Sequence, residues 1–358
     1  MRQILKRKNR GLKNIMTDLY TPEGWLNFDF IDAQPAWMIV IIGKRQVGKT
    51  YGALLNMLKY DKQFILLRRT TAELDTISAT PDLNPFKVFE PDYHVGLFKK
   101  GRFCEIKNYF TDPDGAIEQG KQRGIATSLS QIASIRGFNG SAFTDLVFDE
   151  FIPEKGVVTR KTEGDAFLNA YTTINGNREL SGMPPLRCWL LANTNNIRSA
   201  VLDALNLTDD VLYARRKGKE MLTTDDGVLI IQPNSEKVTE LRKETALMKR
   251  VNAKGEFYKM AIENEWAYDD SPYIRSLSLK GMQPVFNYGN LVYCWESDKG
   301  FYICRAGFKG GAKFEESKTG REQLALRYGG LIDAYYAGLV FFADLRCQSI
   351  FQQIFNIQ

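Results

Sequence analysis

Eight consecutive residues, Gly43-Lys44-Arg45-Gln46-Val47-Gly48-Lys49-Thr50, fit G-x-x-x-x-G-K-[ST] and follow directly on an apolar run, WMIVII at 37–42. That combination describes a phosphate-binding loop: a buried strand, a tight glycine turn, and a helix whose N-terminus faces an anion. Gly43 and Gly48 permit backbone conformations in which successive N–H groups converge on phosphate oxygens. Lys49 brings a point charge to the β- and γ-phosphates, and the Thr50 hydroxyl completes the shell of a Mg2+ ion. Tyr51, Leu54, Leu55, Met57 and Leu58 give the following helix its apolar face. A nucleoside triphosphate is the expected ligand.

A second stretch, Phe143-Thr144-Asp145-Leu146-Val147-Phe148-Asp149-Glu150, ends an apolar run in two carboxylates. Asp149 is expected to hold the Mg2+ ion, directly or through water. Glu150 can take a proton from the attacking water as a general base. An Asp-Glu pair also closes many strands that do no chemistry; a full phosphate loop upstream makes this one specific. The adjacent glutamate, and the long insertion between Lys49 and Asp149, favour P-loop ATPases with an extra strand between the two motifs, with ATP and Mg2+ as cofactors. Asn193 closes another apolar run at 186–193, where an amide can sense the γ-phosphate and orient water, or simply cap a turn. Arg178, in Gly176-Asn177-Arg178-Glu179, is expected on an exposed edge. It reads equally as a surface side chain or as a finger crossing to a neighbour's γ-phosphate.

These residues need a scaffold, and the apolar runs 37–42, 63–69, 143–150, 186–193 and 228–232 supply its strands. Alternating with helical segments, they predict an α/β domain with a mainly parallel sheet covered on both faces. A hairpin is expected around Lys99-Lys100-Gly101-Arg102. At 358 residues the chain is long enough for more than one core. The expected division is an ATPase domain at 1–233, a charged helical linker at 234–275, and a small α+β domain at 276–358. Hydrophobic residues at 44% and charged ones at 25% are those of an ordinary globular chain. The net charge of +6 permits a polyanionic partner. Arg2, Lys6, Arg7, Lys8, Arg10 and Lys13 cluster in an arm at 1–20, either a solvated tail or a docking segment. Five scattered cysteines without a C-x-x-C pair read as packed thiols, and the single His94 as structural. Charge after Met1 argues against a secretory leader, and Asp333 and Asp344 make 331–345 a buried helix rather than a membrane span.

Three blocks in order carry a family likeness: Phe64-Ile65-Leu66-Leu67-Arg68-Arg69 after the loop, then Val147-Phe148-Asp149-Glu150-Phe151-Ile152-Pro153-Glu154-Lys155, then Asn177-Arg178-Glu179 before Leu191-Ala192-Asn193. The chain resembles the phi29-like phage DNA encapsidation proteins, best over 35–215. The resemblance implies an ATP-hydrolysing motor that moves double-stranded DNA into a preformed capsid. It implies a homo-oligomeric, pentameric ring docked on the capsid portal, for some members through a structural packaging RNA. The place of work implied is the cytoplasm of an infected bacterium, docked transiently on the procapsid, with no membrane partner. The C-terminal domain is expected to resemble an RNase H-type nuclease without its active site. In agreement, the strand at 291–295 holds no carboxylate, and only Glu296 and Asp298 follow it. Asn175 and Gly176 depart from a family position that can carry a further arginine, so the finger rests on Arg178. DNA is expected to be gripped through its phosphates. The candidates are Lys121, Arg123, Arg136, Lys155, Arg160 and Lys161, each otherwise a solvated loop charge. The alternatives are another nucleic-acid translocase or helicase of the same ATPase branch, or a nucleotide-controlled assembly switch.

Overall fold

The computed structural model describes residues 18–79, 81–132, 140–153, 162–194, 199–251, 258 and 273–357. The chain separates into two compact units, Met1–Tyr268 and Asp269–Gln358.

The first unit is built on α1 (Phe28–Asp32), β1 (Met38–Gly43), α2 (Lys49–Lys59), β2 (Phe64–Arg68), α3 (Thr71–Ala79), β3 (Val95–Lys100), β4 (Phe103–Thr111), β5 (Ile117–Ser128), β6 (Asp145–Asp149), α4 (Glu163–Asn175), β7 (Arg187–Asn193), β8 (Met221–Thr223), β9 (Val228–Ile231) and α5 (Glu236–Lys243). The strands form a sheet in the order β3-β4-β5-β2-β6-β7-β1-β9-β8. From β5 to β9 every neighbouring pair is parallel, while β3, β4 and β8 join the edges antiparallel. Every residue of β1, β6 and β9 is buried, as Val-, Ile- and Leu-rich strands covered on both faces must be.

One strand, β7, does lie between the loop strand β1 and the carboxylate strand β6. The insertion between Lys49 and Asp149 forms β2 and the β3-β4-β5 edge, and β7 comes from the chain after Asp149. The turn from β3 to β4 falls at the expected Gly101, with φ of +64°. Strand β8, two half-buried residues and an exposed one, has no apolar run to announce it. Helix α5, at the start of the charged stretch 234–275, buries Val238 in the core of the first unit. Most of the rest of that stretch lies outside the described residues, as does the basic arm up to residue 17. All five cysteines are buried and free.

The second unit is a five-stranded sheet in the order β13-β10-β11-β12-β14, made of β10 (Gln283–Tyr288), β11 (Val292–Ser297), β12 (Gly300–Cys304), β13 (Ala312–Phe314) and β14 (Val340–Phe342). Helices α6 (Lys318–Arg327), α7 (Gly330–Tyr336) and α8 (Leu345–Phe355) complete it. The stretch 331–345 is not one buried helix. Gly338, at φ of +73°, ends α7 and lets the chain re-enter the sheet as β14 beside β12. No helix among the described residues is long and apolar enough to cross a membrane.

The seat of α2 rests on a missing side chain. Phe28 stacks on Trp189 with ring centroids 5.9 Å apart, and a Cβ at Gly52 would lie 2.2 Å from Phe28 Cδ2. In an exposed helix Gly→Ala gains roughly 0.5–1 kcal/mol. Here Gly52→Ala must displace a buried ring and is expected to cost about 1–3 kcal/mol instead. Thermal denaturation should show a lower midpoint; a raised one would disprove the contact.

Candidate active site

Strand register brings the chemistry to one edge. Gly43 pairs with Asn193 across β1 and β7, Asp149 with Leu191 across β6 and β7, and Leu67 with Phe148 across β2 and β6. The carboxyl ends of four parallel strands therefore coincide, the usual place for a ligand in an open α/β sheet. The loop turns there through two left-handed residues, Gln46 at φ of +61° and Gly48 at +84°.

Lys49 folds back over its own loop. Its Nζ donates to the carbonyls of Gly43 at 2.9 Å and Lys44 at 2.8 Å, and to Asn193 Oδ1 at 2.9 Å. Burial draws its ammonium down to about 7, against the pull of Asp149. All three acceptors are neutral, so phosphate oxygens would be stronger partners for the same donors. Asn193 thus stands at the strand ends in contact with Lys49.

Thr50 Oγ1 donates to Asp149 Oδ1 at 2.9 Å. The two residues expected to share Mg2+ stand together, and a hydroxyl and a carboxylate suit a hard cation that keeps several waters. Asp149 is buried, which raises its pKa, and Arg68 opposes that rise. The Arg68 guanidinium spans both carboxylates, with Nη1 2.7 Å from Asp149 Oδ2 and Nη2 2.6 Å from Glu150 Oε2. Glu150 itself adopts a left-handed φ of +55°, uncommon for a side chain of this kind. That conformation turns its half-exposed carboxylate out of the strand line, where Arg68 meets it.

The motif residues divide between cradle and support. Val47 packs in the core, and Gln46 faces a cleft beside α2. The Lys44 side chain points away from the cradle, wholly buried, onto Thr239 Oγ1 and the Ser235 carbonyl of the α5 region. From α5 the Arg242 guanidinium donates to the Arg45 carbonyl at 2.8 Å. Sequence reasoning missed Arg242, because nothing local ties residue 242 to residue 45. Arg68 it quoted without giving it a role.

Two expectations need correction. Arg178 is buried instead of exposed: its guanidinium donates to the carbonyls of Phe143 at 2.7 Å, Pro184 at 3.1 Å and Ser141 at 3.3 Å. It braces the entry to β6 and has no free reach toward a neighbour. Arg123 is also buried, donating to the Leu58 carbonyl at 2.6 Å and pairing with Asp61 at 2.7 Å, so it faces the α2–β2 turn instead of DNA. Lys121 is exposed but pairs with the same Asp61 at 2.6 Å. Arg136, Lys155, Arg160 and Lys161 lie outside the described residues.

The family model of the podovirus DNA encapsidation protein (Gp16) matches residues 19–297. A search of curated proteins gives no match. Among solved structures the chain is similar to the bacteriophage Phi-29 viral genome packaging motor assembly, at 23% identity and a TM-score of 0.60, covering 95% of this chain and 99% of that one. It is similar to the Phi-28 gp11 DNA packaging motor at 15% identity and a TM-score of 0.57, covering 94% and 99%. These two likenesses support the fold.

Removing the Arg178 side chain strands three backbone carbonyls, two of them at the entry to β6. Arg178→Ala should therefore destabilise the chain by on the order of 3 kcal/mol. Mixing it with hydrolysis-deficient Glu150→Gln chains should restore no activity. Unchanged thermal stability together with restored hydrolysis in the mixture would return Arg178 to a finger role.

Proposed function

The chain belongs to the podovirus DNA encapsidation protein (Gp16) family, and from that premise we propose that its site hydrolyses ATP to drive double-stranded DNA into a preformed capsid. The hydrolytic part rests on one observation: Thr50, Asp149, Arg68 and Glu150 form a continuous chain of contacts at the strand ends. A pure binding switch needs no general base there.

In this reading the loop amides and Lys49 hold the β- and γ-phosphates, and Thr50 and Asp149 hold Mg2+, which offsets charge on the phosphates. Glu150 takes the proton of the attacking water, a role for which it must be aimed. Arg68 acts as a positioning residue, since its fork bonds both carboxylates and fixes the direction of Glu150. Asn193, close to Lys49, is placed to exchange that partner for the γ-phosphate or the water. Work on DNA of any sequence calls for contacts to phosphates. With Arg123 buried, Lys121, Arg136, Lys155, Arg160 and Lys161 are the remaining candidates for that grip. The family likeness supports reading the motor as a ring of five copies docked on the capsid portal, with a packaging RNA between them as in some members. It also supports action in the host cytoplasm on the procapsid.

Two outcomes test this reading. Glu150→Gln should bind ATP at near wild-type affinity and hydrolyse it about 10²–10⁴-fold more slowly; hydrolysis near wild type would remove Glu150 as the base. The wild-type ATPase rate should rise with double-stranded DNA and portal-bearing procapsids. Stimulation by single strands alone would point to a different translocase.

A further inference from the structure

A cleft of about 740 Å³ opens beside the phosphate loop. Gln46 and Gly48 form its wall on the loop side, and Tyr51, Leu55 and Asn56 of α2 form its floor. Trp25 lies across the loop, its ring 4.0 Å from where a Cβ at Gly48 would stand. Trp25 and Tyr51 are 42% and 50% exposed. Large aromatic faces left in solvent beside an anion site suit a ligand with a flat apolar part and a charged part.

Asn56 supplies the second, independent observation. It is 2% exposed and one turn beyond Gly52 on the same face of α2. Its Nδ2 faces the Phe28 carbonyl at 3.5 Å, while Oδ1 is buried without a partner. The Phe28 carbonyl fixes the sense of the amide, because a flip would set two acceptors against each other. A buried acceptor without a donor is costly, and a donor brought by a ligand would remove that cost. From Gly48 to Asn56 the helix rises about 12 Å. That is roughly the length of a nucleotide from its β-phosphate to the far edge of its base.

We propose that this cleft is the base pocket of the nucleotide site, with Trp25 as stacking platform and Asn56 Oδ1 as the acceptor that selects a purine carrying its amine at the 6-position. Adenine presents an exocyclic amine on that edge, and guanine presents a carbonyl oxygen that would face Oδ1 as a second acceptor. Stacking on Trp25 discriminates little among bases, since every base has a π-face. Selectivity therefore falls to Asn56. The assignment rests on the reading of Gly43 to Thr50 as a triphosphate site.

The test uses the full chain with Mg2+ and calorimetric titration by ATP, GTP and purine riboside triphosphate, which lacks the amine. The wild type should bind ATP at least about tenfold more tightly than either of the others. Asn56→Leu should bring the ratio of ATP to purine riboside triphosphate affinity close to one while still binding the latter, which also shows that it folds. Trp25→Ala should weaken all three nucleotides together and leave inorganic tripolyphosphate unaffected. Equal affinities in the wild type, or a ratio preserved in Asn56→Leu, would overturn the pocket. Binding that depends on Lys49 but shows no base preference rejects the pocket alone. Binding insensitive to Lys49→Ala rejects the triphosphate site itself.

Discussion

The Arg68 guanidinium holds two adjacent carboxylates at the end of β6, and the site depends on that contact. Asp149 is buried, and Glu150 beside it carries the same charge. Burial and the neighbouring like charge both push the Asp149 carboxyl toward its neutral form, in which it would serve a metal ion poorly. The Arg68 guanidinium opposes both effects without cancelling them. It can do so only because β2 lies directly beside β6 in register, so that the residue after Leu67 comes level with the residue after Phe148. The geometry of the sheet thus sets the counter-charge that buried Asp149 receives.

The same register accounts for Asn193. With β7 between β1 and β6, the ends of the loop strand and the carboxylate strand are held one strand apart. That gap is filled by the polar end of β7, whose Asn193 stands opposite Gly43. Lys49 closes the arrangement by reaching both, so a β1 residue, a β7 residue and the helix N-terminus meet at one ammonium. The chain reaches this arrangement out of sequence order, because the strand between the motifs is made after the second motif.

What was legible in the sequence was what local chemistry dictates. A phosphate loop needs its glycines and its Lys-Thr within eight residues, and buried parallel strands need unbroken apolar runs. Both requirements leave marks that a single segment displays. Arg178 and Arg123 show the opposite case. Their burial depends on carbonyls at residues 141, 143 and 184, and on Leu58 and Asp61, none of which marks the arginine's own segment. Arg68 and Arg69 look equivalent as a pair, yet β2 ends at Arg68 and the chain bends at Arg69, so the two side chains find different partners. Arg68 meets the carboxylates of the site, while Arg69 ties Glu73 of α3 to Glu163 of α4. The stretch 331–345 misled because its apolar content fits a helix and a strand equally well. Only the left-handed turn at Gly338 decides between them.

The electrostatics of the loop give the site its direction. Burial lowers the pKa of Lys49 to about 7, that of Lys44 to about 8, and that of Arg242 below its ordinary value. For Lys44 and Arg242 a neighbouring cation adds to the effect. A protein that buries cations in this way is less stable than one with apolar side chains in their place, unless something negative arrives. On the opposite side of the site, the carboxylates already have their counter-charge in Arg68. A bound anion would relieve the cost of burying the Lys49 ammonium, whose hydrogen-bond acceptors are all neutral. Ligand binding and stability are thereby coupled, since whatever binds only the folded loop stabilises it by mass action. Lys44 and Arg242 act from behind the loop without touching the cradle: one is wholly buried against the α5 region, the other holds the Arg45 carbonyl in place. Their charge reaches the phosphates through the field and not through a bond, which is why a search for phosphate-contacting side chains would pass over both.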